Sequence, residues 1–435
     1  MRRSIPVVLA SILAASTLAG CSSSGSSAPA SSGSTNPASV KGTVVFWDTS
    51  DPVAEAPAYK TLISQFEAKY PNIKVNYVSK PFASAENTFK TAAAGGSGAP
   101  DVFRSDIGWV PALAQAGYLQ KLDGTPALSD AADYLAGPAA TTKYQGATYA
   151  VPQVTDALGL LYNKAAFSSA GISSAPTTWA ELKTDALAIK AKTGKPAIFL
   201  DDASYYFLPF LYGEGGDMVD TSAKKVTVDS AAAVKAMGIV QDLISSGAAV
   251  TDTSSNAYTN MQNAFKNGTA AMVINGPWST ADDLSGSAFK DKTNLGIAPV
   301  PAGSVKAGTP TGGQDLVVYA GSANLGASEL FVQYINSAAS QAYVAAHNNT
   351  LPTHQAAWSD AQVTGNPVLT AFEPVIKEDA PRPSIAQGSD LFTPFDTGMQ
   401  QILSGKASAQ AGLDSIAQNM LKVLNNGVDS GWTVG

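Results

Sequence analysis

One cysteine, Cys21, and two histidines, His347 and His354, are all that the 435 residues contain of either type. A single thiol excludes an internal disulfide, so the fold must rest on core burial. The two histidines lie seven apart, and Pro352 between them breaks any helix that would align them. No metal or triad role is expected for them, and no cofactor is expected. Walker, dinucleotide-fingerprint and Gly-x-Ser-x-Gly patterns are missing, as is any cysteine cluster. Charged side chains make up only 14% of the chain, with a formal net charge of −7. No Lys/Arg cluster occurs, so nucleic-acid binding is not expected. Internal repeats and coiled-coil heptads are also absent. Carboxylates, by contrast, are plentiful. A glycoside hydrolase therefore stays open as a rival class, needing two of them about 5–10 Å apart across a bond.

The longest uncharged apolar run, Ile5 to Ala19, is too short to read as a membrane span. It follows Arg2-Arg3 and ends in Leu18-Ala-Gly-Cys21, which is the pattern of a secretory signal (residues 1–20) with a cleavage site. Loss of Arg2 and Arg3 with the leader would take the net charge from −7 to −9. Residues 21–40 are almost all Ser, Gly, Ala, Pro, Thr and Asn, the composition of a flexible tether. A body of about 395 residues remains, enough for two or three lobes with a large core.

Within the body, Val44 to Trp47 reads as a buried strand, followed by the polar turn Asp48-Thr-Ser-Asp51-Pro. Tyr59, Leu62, Ile63, Phe66 and Tyr70 fall on one helical face. Pro71-Asn72 stops that helix, and Ile73, Val75 and Tyr77 alternate with polar residues as a strand. A strand–helix–strand unit predicts parallel pairing. Pro100 to Asp106 reads as a further strand with polar residues at its end, and Trp109 to Gly117 as a helix. Thr178 and Glu181 have the spacing of a capping box. Ala197 to Leu200 is a strand, followed by Asp201-Asp202 and Tyr205-Tyr206. Such a tyrosine pair suits ferric iron only with His or carboxylate help, and core packing is the plain alternative. Ser230 caps a helix with Val234, Met237, Gln241 and Ile244 on one face. Tyr258, Met261, Gln262 and Phe265 recur at helical spacing until Asn267-Gly268 ends the helix. Ala270 to Ile274 is an apolar run of strand length, and Asn275-Gly-Pro277 turns the chain. Trp278 is left just past the carboxyl end of a strand, where open α/β sheets place ligand contacts, though a core Trp fits the same pattern.

The segment Ala264-Phe-Lys-Asn-Gly-Thr-Ala-Ala-Met-Val-Ile-Asn-Gly-Pro-Trp278 resembles the helix–strand–tryptophan segment of extracellular solute-binding proteins of carbohydrate ABC importers, maltose/maltodextrin-binding type. Phe66 to Val75 is similar to that family's first βαβ unit, and Leu18-Ala-Gly-Cys21 resembles a bacterial lipobox. The likeness spans residues 43 to 425. It implies an α/β, two-lobed periplasmic-binding-protein-like fold of type II, with mixed sheets flanked by helices and three interlobe crossovers. The implied lobes are 41–154 plus 302–325, and 155–301 plus 326–435. The implied crossovers fall at Ala147 to Asn163, with Asp156 at the hinge, at Leu295 to Pro301, and at Asn324 to Glu329, the last followed by a helix carrying Leu330, Phe331, Tyr334 and Ile335.

The resemblance also implies ligand contacts. Trp278 would stack on a sugar ring. Asp156, at the first crossover, would accept hydroxyl hydrogen bonds. Aligned on Pro209, Tyr205 stands where the maltodextrin type has a stacking Tyr. Ala203 stands where that type has an acid, with Asp202 nearby as a substitute. Counting back from Ser404-Gly405, Phe392 matches a late stacking aromatic, and Asp396 matches a contact that is basic in the maltodextrin type. Gly312 and Gly313 would let backbone amides approach the ligand. Asp51 joins the candidates from the turn after the first strand. After the third strand Arg104, Asp106 or Trp109 fills the family's polar position, with Asp106 preferred over a mere helix-capping role. The expected whole is a non-enzymatic, monomeric sugar receptor, lipid-anchored through Cys21 to the outer face of the cytoplasmic membrane. It would capture a maltooligosaccharide or related α-glucoside and pass it to ABC permease subunits. A secreted hydrolase, a receptor for another solute, or an adhesion lipoprotein are the alternatives.

Overall fold

The computed structural model describes residues 37–427 and 430–435. The expected signal sequence, Cys21 and the expected tether up to residue 36 lie outside the described residues. The last part of the expected tether, Pro37–Ser39, is a turn of 3-10 helix. Among the described residues no helix is long and apolar enough to cross a membrane.

Two mixed sheets organise the body. The first runs in the order Leu351–Pro352, Ala150–Ala157, Thr309–Val318, Val102–Asp106, Gly42–Asp48, Ile73–Ser79. Its last three strands are mutually parallel, with Val44 opposite Val75 and Phe46 opposite Val102. The helix that makes this crossover possible, Ala56–Lys69, buries Tyr59, Leu62, Ile63 and Phe66. These are four of the five side chains whose spacing identified it. The second sheet runs Ala249–Thr251, Ile198–Leu200, Met272–Asn275, Gly159–Asn163, Leu295–Pro299. Ile198–Leu200 and Met272–Asn275 are parallel, so both deliver the chain to the same end of the sheet, towards Tyr205 and Trp278.

The chain passes between sheets through Leu158, which separates Ala150–Ala157 in the first from Gly159–Asn163 in the second. It returns between Leu295–Pro299 and Thr309–Val318. Two of the three crossovers therefore lie where the sequence placed them. The third does not. The helix Leu325–Ile335, expected to follow a crossing at Asn324 to Glu329, stays on the first sheet. Phe331 sits edge-on to Phe46 and Phe66, both at 5.2 Å. Leu330, Val332 and Ile335 share that core. The chain even adds Leu351–Pro352 to the first sheet before Pro367–Ile376 packs against Leu161 and Val273 of the second. The helix Leu325–Ile335 and the strand Leu351–Pro352 thus join the first sheet, while Ala342 and Ala345 between them pack with Leu161 and Val273 of the second. An apolar face decides the matter: Phe46 and Phe66 need a cover, and Phe331 supplies it.

Local signals behave as their chemistry dictates. Thr178 Oγ1 accepts from Glu181 N at 3.2 Å. Glu181 Oε2 reaches Thr177 N and Oγ1, both at 2.7 Å, one residue before the expected return contact. Ser230 caps Ala231–Ser245 through Ala233 N. Gly268, at φ 78, ends the helix Ala257–Lys266 in the left-handed region that glycine tolerates.

Candidate functional site

The site grows out of strand ends. In the first sheet Thr309–Val318 lies antiparallel to Ala150–Ala157, with Gly312 opposite Asp156. A Cβ on Gly312 would fall 1.8 Å from Asp156 Oδ1 and 2.7 Å from Tyr205 Oη. The missing side chain is therefore the space into which a carboxyl from the crossover and a phenol from the second lobe both project. This differs from the expected role, in which Gly312 and Gly313 offer backbone amides to a ligand. Gly313, at φ 136, needs glycine for another reason: a Cβ there would meet Val154 O at 2.3 Å. Both glycines sit inside the ladder.

Asp106, at the end of Val102–Asp106, reaches the same place. Its Oδ1 accepts from Arg382 Nη2 at 2.8 Å and from Gly108 N at 2.7 Å. The Arg382 guanidinium lies 5.6 Å from the centre of the Tyr205 ring, and its Nε donates to Thr311 O at 3.0 Å. Asp106, Asp156, Tyr205, Gly312 and Arg382 thus form one cluster. Of the three residues left open after that strand, the other two point elsewhere. Arg104 donates to Gln153 Oε1 at 2.6 Å beside the buried Asp48. Trp109 stacks on Phe103 with centroids 5.9 Å apart.

The electrostatics follow from this crowding. Burial, reinforced by the Asp106 charge, pushes Asp156 up to about 7 against the pull of Arg382 and Arg104. Near neutral pH its carboxyl is therefore shared between donor and acceptor forms. Burial opposes the Arg382 charge, but Asp106, Tyr205 and Asp156 outweigh it and raise its pKa. Tyr205 is raised by burial and then by Asp156, so it remains a hydroxyl donor.

An aromatic run leads away from the cluster across the second lobe. Tyr205 meets Tyr206 edge-on at 5.7 Å, and Tyr206 lies 6.3 Å from Tyr258. Trp278 Nε1 donates to Tyr258 Oη at 3.2 Å. The Trp278 ring folds back over its own turn, because a Cβ on Gly276 would come within 1.9 Å of it. Tyr205, Trp278 and Phe392 are all half-buried on the same hydrophobic core. Phe392 opens the helix Phe392–Leu403, one turn before Asp396 on the same face.

Two candidates are otherwise engaged. Asp396 Oδ1 accepts from Ser204 N at 2.7 Å and from Ser204 Oγ at 2.6 Å. It anchors the 3-10 turn Ser204–Phe207 that presents Tyr205, so it holds a neighbouring side chain rather than offering a free acceptor. Asp51 is exposed, and its Oδ1 accepts from Val53 N and Ala54 N in the local turn. That is ordinary turn chemistry. Asp202, considered as a substitute acid, accepts from Gln400 Nε2 at 3.0 Å.

Arg382 is the residue that sequence reasoning missed. It is 276 positions from Asp106, and its only local mark is the flanking pair Pro381 and Pro383. Neither spacing nor periodicity links it to an acid so far away. Among the described residues no group of acids and histidines could hold a metal ion. His347 stacks on Tyr343 at 3.9 Å, and His354 Nδ1 receives Ala356 N.

Comparison with known proteins agrees with this architecture. The profile of the bacterial extracellular solute-binding protein family matches residues 50–342. The GacH receptor of Streptomyces glaucescens GLA.O has been solved unliganded and with acarbose and an acarbose homologue. It is 47% identical, with a TM-score of 0.85 over 88% of this chain and 99% of its own. The maltodextrin-binding protein MdxE of Bacillus subtilis is 26% identical, the match covering 97% of each chain. The maltotriose-binding protein of Pyrococcus abyssi is also 26% identical, over 76% of this chain and 71% of its own. With a family profile across most of its body and a two-sheet fold shared nearly end to end with a solved receptor, this chain belongs to the bacterial extracellular solute-binding proteins.

Proposed function

We propose that this protein is the sugar-capturing receptor of an ABC importer. It takes a maltooligosaccharide, or a related α-glucoside such as an acarbose-type pseudo-oligosaccharide, between its two lobes. It acts as a monomer, held at the outer face of the cytoplasmic membrane by lipid on Cys21, and passes the sugar intact to permease subunits. One observation carries the reading: Asp106, Asp156, Tyr205 and Arg382 converge where the two sheets meet, beside an aromatic run that ends at Trp278. Sugar rings have an apolar face for aromatic stacking and a rim of hydroxyls for charged and neutral hydrogen-bonding groups. Arg382 donates, Asp106 accepts, and Asp156 near its midpoint does either. Ligand contacts made only when the lobes are shut drive closure. The receptors for acarbose, maltodextrin and maltotriose among the relatives favour α-glucosides over other solutes.

The test is a thermal-shift screen with maltose, maltotriose, maltotetraose, trehalose and acarbose, followed by calorimetry on the best. A binder gains about 2.7 kcal/mol of stability at a hundredfold excess of sugar over Kd. Trp278→Ala should weaken the best sugar about tenfold, ~1.4 kcal/mol, through lost stacking. An unchanged affinity would remove Trp278 from the site. Chromatography of the incubated sugar should return it whole, and shorter products would replace the receptor reading with a hydrolase.

A further inference from the structure

Away from the aromatic run, the two lobes meet a second time through charged side chains that no sugar contact requires. The helix Phe82–Ala94 belongs to the first lobe: Ala85, Phe89 and Ala93 are buried with Phe103 and Trp109. Phe89 stacks on Phe103 with centroids 4.9 Å apart and planes 11° apart. The outward side of this helix carries Glu86 and Lys90, joined at 2.8 Å across one turn. Facing them is the short turn Ser389–Leu391, which leads into Phe392–Leu403 and is rooted in the second-lobe core through Leu391 and Phe395. Ser389 Oγ donates to Glu86 Oε1 at 2.9 Å. Lys90 Nζ lies 3.5 Å from Asp390 Oδ1.

We infer that Glu86, Lys90, Ser389 and Asp390 form an interlobe latch that stabilises the shut form and slows sugar release without touching the sugar. The inference rests on the lobe closure proposed above. Four features support it. Each half is mounted on a separate hydrophobic core, so opening the lobes must break the contact. Lys90 answers two acids, one from each lobe, so its charge is neutralised fully only when the lobes are together. Glu86 and Lys90 are only partly exposed, at 16% and 28%, so water competes less there than at an open surface, while Asp390 is the exposed member at 52%. Glu before Lys at this spacing on a helix is also the favourable order, which presets Lys90 towards the partner turn. Because the contact opens only with the lobes, its strength appears in the release rate rather than in the capture rate.

Charge exchange tests the latch. Lys90→Asp and Asp390→Lys are made singly and together, with Ser389→Ala as a gentler probe should either charge change lower the melting temperature. Release of maltotetraose or acarbose, whichever binds better, is followed by stopped-flow tryptophan fluorescence at low and high salt. Each single variant should release sugar about two- to fivefold faster, the range expected for partly exposed ion pairs. The loss should shrink in high salt. The double exchange should recover most of the original rate. Single variants that release at the original rate overturn the latch, as does a double variant that recovers nothing. Small-angle scattering of the ligand-free proteins gives a readout independent of sugar. The single variants should be more expanded than the original chain, and the double variant should not. If no sugar binds at all, the proposed function fails, while the scattering comparison still decides the latch: no expansion in the single variants overturns it.

Discussion

A single missing side chain shapes the site. Gly312 is not strained, and its value lies in the room it leaves: Asp156 Oδ1 and Tyr205 Oη both occupy space that any Cβ would claim. Gly312→Ala should therefore leave the fold standing and push the crossover carboxyl and the phenol apart. We expect sugar affinity to fall at least tenfold, ~1.4 kcal/mol, with a melting temperature changed by no more than a few degrees. Calorimetry and thermal denaturation of the same variant check both halves. Asp396 has a related role at one remove. Its two bonds to Ser204 fix the turn that aims Tyr205, so it acts on the site by placing a neighbour.

At the level of elements, the helix Leu325–Ile335 shows how a burial requirement overrides a likeness in connectivity. Its apolar residues identified a helix correctly, but the partner sheet was not readable from them. Phe331 is buried between Phe46 and Phe66, and this holds the helix to the first sheet. Phe331→Ala should cost about 3–5 kcal/mol of stability by leaving a cavity there. Urea unfolding followed by fluorescence measures it. A cost below about 1 kcal/mol would mean that the helix is not anchored by this ring. The helix Ala56–Lys69 gives the contrasting case. Its stripe of Tyr59, Leu62, Ile63 and Phe66 sits between two strands close in sequence, so the parallel pairing of Gly42–Asp48 with Ile73–Ser79 followed directly.

The molecule as a whole carries buried acids that bind protons more tightly folded than unfolded. Burial lifts Asp201 to about 6 and, with the Asp106 charge, Asp156 to about 7. Burial lifts Asp283 to about 8. The unfolded chain releases these protons near pH 4. Between that pH and about 8 the folded chain holds more protons than the unfolded one, so stability falls as pH rises across this window. Thermal unfolding should accordingly give a lower midpoint at pH 8.5 than at pH 5, and Asp156→Asn should flatten the part of the decline centred near pH 7. A midpoint that rises steadily over this range would contradict the burial of these carboxyls. Of these acids Asp156 belongs to the interlobe cluster, so ligand affinity and stability share that part of the pH dependence.

Everything local was decided by the sequence itself: the strand–helix–strand start, the caps at Thr178 and Ser230, the break at Gly268, and Trp278 left beyond a strand end. These depend on residues within a few positions of one another, where periodicity and turn chemistry act directly. The sequence also placed Asp106 and Tyr205 at strand ends, which open sheets bring together, and the family likeness put Asp156 at the first crossover. Tertiary structure alone decided which groups meet. Arg382 finds Asp106 across 276 positions, Asp396 turns to Ser204, and Leu325–Ile335 chooses its sheet. Each outcome depends on which buried charge or apolar face lacks a partner once the lobes have packed, and no short stretch of chain contains that information.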